Sequence, residues 1–220
     1  MAVKLVTPPS VEPVSLAEAK LHSNVDFASQ DSLILSVIKG STVDAENICR
    51  RVFITRQYAL YLDRFPSLSD SAQVVGTCDN NFLSVPQPYV FRVRGSKIGL
   101  PFPTLQSVES VNYIDLNGVQ QTLAPDKYIV DNISEPGCIT PAPNTYWPNT
   151  QNRVNAVKIS FTAGYGTPAD VPEGIKRWVM MRSGALFENR EEVVVGSRLV
   201  VADLAFVDRM LDAYKIMSYV

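Results

Sequence analysis

Histidine is almost absent from this chain. His22 is the single one in 220 residues, so any imidazole-based catalytic arrangement has to use it. Cysteine is nearly as scarce. Cys49, Cys78 and Cys138 are odd in number and far apart, without a CxxC pair or a His/Cys run, so zinc could be held only by ligands gathered from distant segments. Reduced, packed thiols are expected, as suits a cytosol. No 18-residue apolar run exists, and the apolar stretch in MAVKLVTPPS is too short for a signal peptide; neither a membrane span nor secretion is expected. A basic surplus is missing too. Lys and Arg number 20 against 22 Asp and Glu, a net charge of −2, and no cationic cluster suggests a stable grip on DNA phosphates.

What the chain does contain is a 46% hydrophobic composition, enough for a sizeable core in one domain or a domain with a large insertion. The stretch from Ala163 to Arg190 organises the rest. Gly164 and Gly166 end a strand and turn the chain. Asp170 with Glu173 three residues later, and Pro172 between them, reads as a capping box that starts a helix. Ile175, Trp178, Val179, Arg182 and Leu186 then follow at helical spacing, and Gly184-Ala185 predicts close approach by another backbone. Upstream, Thr7–Pro13 is a proline-rich extended leader. Ser15 and Glu18 form a second capping box for a short helix ending near Ser23. A longer helix from Asp31 turns Ile34, Val37, Ile38, Ser41, Ala45 and Ile48 inward and ends near Arg50-Arg51.

The period then changes. Phe53–Leu62, Tyr89–Val93, Lys97–Leu100, Val108–Asp115, Val119–Leu123, Lys127–Val130 and Val154–Phe161 read as strands, with Asn117-Gly118 the strongest hairpin signal. Ser67–Asn81 and Pro141–Pro148 read as loops. Beyond the organising helix, Glu191–Val201 predicts a hairpin or arm, Ala202–Tyr214 a helix, and Lys215–Val220 an apolar end that docks on something. The expected fold is therefore α+β: a helical bundle built from N- and C-terminal segments, with an inserted β-rich domain. Residues 1–51 supply the N-terminal helices, 52–162 the insertion, and 163–220 the C-terminal helices and docking tail.

No motif carries chemistry. His22 lacks a nucleophile elbow nearby, and Glu191-Glu192 point to opposite faces of a strand. The glycines at 164 and 166 belong to neither GxxxxGK[ST] nor GxGxxG, and the acidic helix start behind them repels phosphate. Arg92, Arg94 and Lys97, interleaved with Tyr89 and Phe91, read as a solvated strand face. Neither an enzymatic activity, a cofactor nor a metal is expected.

Several ordered stretches resemble one family. They are TPPSVEPVSLAEAK from Thr7, LDRFP at Leu62–Pro66, LPFPTLQSVESVNYIDLNGVQQTL at Leu100–Leu123, YIVDNISEPGCI at Tyr128–Ile139, Trp147-Pro148, NAVKISFTAGYG at Asn155–Gly166, and DVPEGIKRWVMMRSGALFENRE ending at Glu191. Together they resemble the head–tail connector (adaptor, head-completion) proteins of tailed bacteriophages, including those of prophages and gene-transfer agents. The resemblance implies a non-catalytic virion protein of the neck, assembled in the host bacterial cytoplasm. It implies a ring, usually of twelve subunits, which binds the portal on one side and a tail-proximal stopper or tail-completion protein on the other. Genomic DNA would pass through that ring without stable binding. The family often ends its second helix with Gly where this chain has Arg50, and Ser67–Ser96 is longer than usual, an expected extra loop or hairpin facing a neighbour or a tail component. Val193, Val194, Val195, Ile216, Met217, Tyr219 and Val220 are the candidate contacts between subunits or with the portal. A tail-completion or terminator protein contacting the tail tube is the nearest alternative; a small hydrolase using His22 and a carboxylate is the alternative of another class.

Overall fold

The computed structural model describes residues 1–66, 96–188 and 209–216. It divides into two compact units. One joins Met1–Pro9 to Thr55–Tyr165, and the other joins Ser10–Ile54 to the described residues between Gly166 and Ile216.

The first unit is built on sheets. Strands β1 (Ala2–Thr7), β2 (Arg56–Leu62), β4 (Leu105–Ile114), β5 (Gln120–Thr122) and β8 (Val157–Ala163) form an antiparallel sheet in the order β1-β2-β8-β4-β5. Its centre is β8, where Val157, Ile159 and Phe161 alternate inward and are fully buried. Leu60 and Val111 lie opposite Ile159 from the two flanking strands, so one apolar row runs across three strands. Asn117-Gly118 makes the expected turn between β4 and β5. Gly118 takes φ 81°, and Asp115 Oδ1 accepts from the N–H groups of Asn117 and Val119. Strands β3 (Ile98–Gly99), β6 (Tyr128–Asp131) and β7 (Cys138–Pro141) form a second antiparallel sheet in the order β3-β7-β6. Ile98, Tyr128, Cys138 and Ile139 are its buried side chains, with Leu100 buried just after β3.

The second unit holds α1 (Leu16–His22), α2 (Asp31–Cys49) and α3 (Glu173–Glu188). The Ser15–Glu18 capping box forms as expected: Glu18 N–H donates to Ser15 Oγ at 3.2 Å and Ser15 N–H to Glu18 Oε2 at 2.7 Å. Ile34, Ile38 and Ala45 of α2 pack with Ile175, Trp178 and Val179 of α3 as the core of this unit. Arg50 ends α2 in the left-handed conformation, φ 55° and ψ 38°, and its N–H donates to Glu46 O. A cation thus does the job usually given to glycine.

Four expectations need correction. The fold is a sheet-rich α+β architecture, not a helical bundle with an inserted β-rich domain. Eight strands in two antiparallel sheets dominate the described residues, which hold three α-helices, one of them only seven residues long. The chain start is also a strand: β1 pairs with β2 across nearly sixty residues, Ala2 opposite Tyr61. Asp170 does not cap α3. Its carboxylate accepts from Thr167 N–H at 2.8 Å and Thr167 Oγ at 2.7 Å, closing the turn before the helix, while Pro172 O takes the first helical N–H groups, those of Ile175 and Lys176. Gly184 faces the end of α1 rather than another backbone; a Cβ there would meet His22 Cδ2 at 3.5 Å, an ordinary contact.

The expected strand at 89–93, the loop at 67–81, the arginine stripe at 92–94 and the arm at 191–201 lie outside the described residues. Of the helix expected over 202–214, the described part includes a one-turn 3-10 helix at Asp212–Tyr214. Among the described residues no helix is long and apolar enough to cross a membrane.

Candidate interface surfaces

Of the residues expected to meet a partner, Val193, Val194, Val195, Met217, Tyr219 and Val220 lie outside the described residues. Ile216 is described. It is half-buried, and its N–H donates to Cys49 O at 3.1 Å, just where α2 ends. The residues before it are tied down as well. Leu211 is fully buried, Tyr214 O accepts from Arg51 Nε at 2.7 Å, and Lys215 pairs with Asp212 at 2.6 Å. Gly174 gives the Tyr214 ring its seat, since a Cβ there would stand 2.7 Å from Tyr214 Oη. The chain is therefore anchored to the helical unit as far as Ile216.

In the sheet unit, two turns hold apolar side chains out in solvent. Asp115 closes the β4–β5 turn that carries Leu116, 65% exposed. Asp131 closes the turn after β6 by accepting from Ile133 and Ser134 N–H, and that turn carries Ile133, 92% exposed. Both carboxylates are held below their ordinary range by these bonds. For Asp115 the largest cause is the Val119 N–H; for Asp131, pushed down to about 2, it is hydrogen bonding from Ser134, joined by Ile133 and Cys138. The turns are thus ordered by charge, and what they present is oily.

A cleft of about 320 Å³ adds to this surface. Phe65 and Trp147 stack across it with centroids 4.9 Å apart and planes 3° from parallel, and Tyr113 meets Phe65 edge-on. Trp147 is fixed by its indole N–H, which donates to Ser96 O at 2.6 Å. Tyr146 beside it is 80% exposed. None of Leu116, Ile133 or Tyr146 was singled out from the sequence as a contact. For Leu116 and Ile133 the available signal was a large apolar side chain at a turn or bend, where polar residues and glycine are usual.

His22 sits exposed at the last turn of α1, and among the described residues no carboxylate or hydroxyl is hydrogen-bonded to its ring. Among the described residues no group of His, Cys, Asp and Glu is placed to hold a metal ion. Cys49 is fully buried, and burial pushes its thiol up to about 11. Burial raises the Cys138 thiol too. Neither is poised as a nucleophile.

Two sheets with apolar turn tips in one unit, and three α-helices in the other, define a sheet-rich α+β fold. Solved structures of gene transfer agent (GTA) particles contain the same fold. A chain in the neck of an empty GTA particle computed with C6 symmetry superimposes with a TM-score of 0.71 at 16% identity, covering 100% of this chain and 98% of that one. A chain in the virion of a native GTA particle gives 0.70 at 16%, and one in the neck of a native GTA particle computed with C12 symmetry gives 0.65 at 17%, each with the same coverage. No family model and no curated protein matches the sequence. The full-length likeness establishes the fold, and it is consistent with the resemblance to head–tail connector proteins.

Proposed function

We propose that this chain is a structural virion protein of the neck: a head–tail connector that forms a ring under the portal, extends the DNA channel and joins the capsid to the tail. The observation that carries this reading is the end-to-end fold likeness to chains of GTA necks, with both partners covered almost completely. The C6 and C12 symmetries of those particles support a ring of twelve subunits, a heterologous contact whose rotation closes. A net charge of −2 favours DNA passing through over DNA held, because each neutralised phosphate would add affinity. No reaction is assigned to the chain.

The partners in this reading are other copies of the chain, the portal, and a tail-proximal stopper or tail-completion protein. Leu116, Ile133 and Tyr146 join Ile216 and residues 193–195, 217, 219 and 220 as the contact candidates. Anchoring of the chain up to Ile216 makes a clean truncation possible. A variant lacking residues 217–220 keeps the bond from Ile216 to Cys49 and should melt like the parent. Co-purification with the portal and, separately, with the tail-tube protein tests the assignment. The intact chain should retain the portal and not the tube, and the truncated one should lose portal binding. Retention of the tube alone, or portal binding unchanged by truncation, contradicts the respective part.

A further inference from the structure

The cleft around Phe65 and Trp147 is neutral. None of its ten lining residues is charged, and Pro66, Pro141 and Pro148 add apolar walls to the stacked rings. The indole N–H is already given to Ser96 O. Tyr146 Oη and the Asn149 amide, both on exposed residues of the cleft, have no hydrogen-bond partner among the described residues. Aromatic rings, prolines and a few free donors make the kind of surface on which proteins seat polyproline II segments. A proline has no N–H and presents only its carbonyl acceptor, which such donors can meet.

The chain carries such a segment itself. Pro8-Pro9 is the single Pro-Pro pair in the sequence, and consecutive prolines hold the backbone extended. Pro8, Ser10 and Val11 are exposed, and Pro8–Val11 make no hydrogen bond among the described residues. The stretch is uncharged, which matches the uncharged cleft. In its own sheet unit the leader is turned elsewhere: Thr7 Oγ donates to Gln57 Oε1 at 3.0 Å, and neither Pro8 nor Pro9 lines the cleft. A second copy is then the source. We propose that Pro8–Val11 of one copy docks as a polyproline II strand in the Phe65–Trp147 cleft of the next. The Pro8-Pro9 rings pack on the aromatic floor, and their carbonyls accept from Tyr146 Oη and Asn149 Nδ2. Leader and cleft are different surfaces, so the contact is heterologous and every copy both gives and receives, as a ring needs. It rests on the ring reading and supplies one of its contacts. Nucleic acid is a poor occupant, because the cleft offers phosphates no cation.

The test is an NMR titration of the full chain, read at the indole N–H of Trp147, which Trp147→Phe distinguishes from that of Trp178. The probe is the uncharged peptide acetyl-TPPSV-amide. The Trp147 signal should move to saturation, while that of Trp178, buried in the helical unit, stays in place. Replacing both prolines of the peptide with alanine should weaken binding about tenfold. Tyr146→Ala in the protein, an exposed change that leaves the melting temperature alone, should do the same. Added salt should leave the affinity unchanged, since neither side is charged. The absence of saturable movement overturns the proposal. Equal binding of the alanine peptide, full affinity in Tyr146→Ala, or an affinity that falls with salt overturns it too. So does tighter binding of acetyl-VPQPY-amide, copied from Val85–Tyr89 outside the described residues, which makes another segment the occupant. A collar on the portal together with a peptide that fails to bind removes this contact alone. A bound peptide and no collar removes the neck reading alone.

Discussion

Replacing Gly137 with alanine places a methyl group where the sheet unit has no room. Its Cβ would lie 2.6 Å from Leu105 Cβ, 2.7 Å from Leu105 Cδ2 and 3.2 Å from Asp131 O, against about 3.5–4.0 Å for carbon atoms in comfortable contact. Leu105 is 5% exposed and cannot swing away into solvent, and Gly137 O is tied to Leu100 N–H at 2.8 Å. Neighbours on both sides must move by about 1 Å, an overpacking that costs about 1–3 kcal/mol. For a chain of this size each kcal/mol shifts the melting temperature by about 2–4 °C, so Gly137→Ala should melt about 2–12 °C below the parent. In urea its midpoint should fall with an unchanged slope. Gly40 is the internal control. It lies inside α2 with nothing within 4 Å of the added Cβ, so Gly40→Ala should gain about 0.5–1 kcal/mol from helix propensity alone. Opposite signs at two glycines follow only if packing decides one and backbone freedom the other. A Gly137→Ala chain within about 0.5 kcal/mol of the parent would refute the close approach.

Three further outcomes are expected. Arg50→Gly should stabilise the protein by about 0.5–1 kcal/mol, since the left-handed conformation costs a residue with a Cβ about 1–2 kcal/mol and glycine returns part of that through its freer unfolded chain; thermal melts check it. The Asp131 carboxyl should titrate near pH 2 in a carbon-detected NMR experiment, against about 4 in an unfolded chain. Because the folded value is the lower one, its contribution to stability is complete above about pH 4 and disappears as pH falls through about 2. Cys49 should react with iodoacetamide more slowly than a free peptide thiol at every pH below about 11, and a rate equal to the free thiol would contradict its burial.

Features written in a few adjacent residues were the ones most readable from the sequence. Ser15 and Glu18 satisfy each other across one turn, and Asn117-Gly118 supplies the positive φ its hairpin needs. Features settled by distant partners were not. The run Ala2–Thr7 sits at a sheet edge, largely exposed, so it lacks the apolar alternation of a half-buried strand, and only β2 makes it one. Strand β7 ends in Pro141 and adjoins a glycine, composition that reads as loop. Asp170 shows how one spacing serves two structures, because the same carboxylate could cap a helix or close the turn before it, and Thr167 decided the matter. The helical-bundle expectation failed for a related reason: helix periodicity is loud over twenty residues, whereas short strands announce themselves only once paired. The leader was legible as extended from its prolines. The aromatic cleft was not, since Phe65 and Trp147 lie far apart in the chain and stack only in the packed unit.

The central proposal is that these oily tips and ends are used on neighbours in a ring. Electron microscopy of the purified chain mixed with its portal addresses it most directly. The account predicts a single collar of twelve copies seated on the portal, with an open axial channel. A chain that stays solitary beside the portal, or assembles into something without a channel, contradicts it.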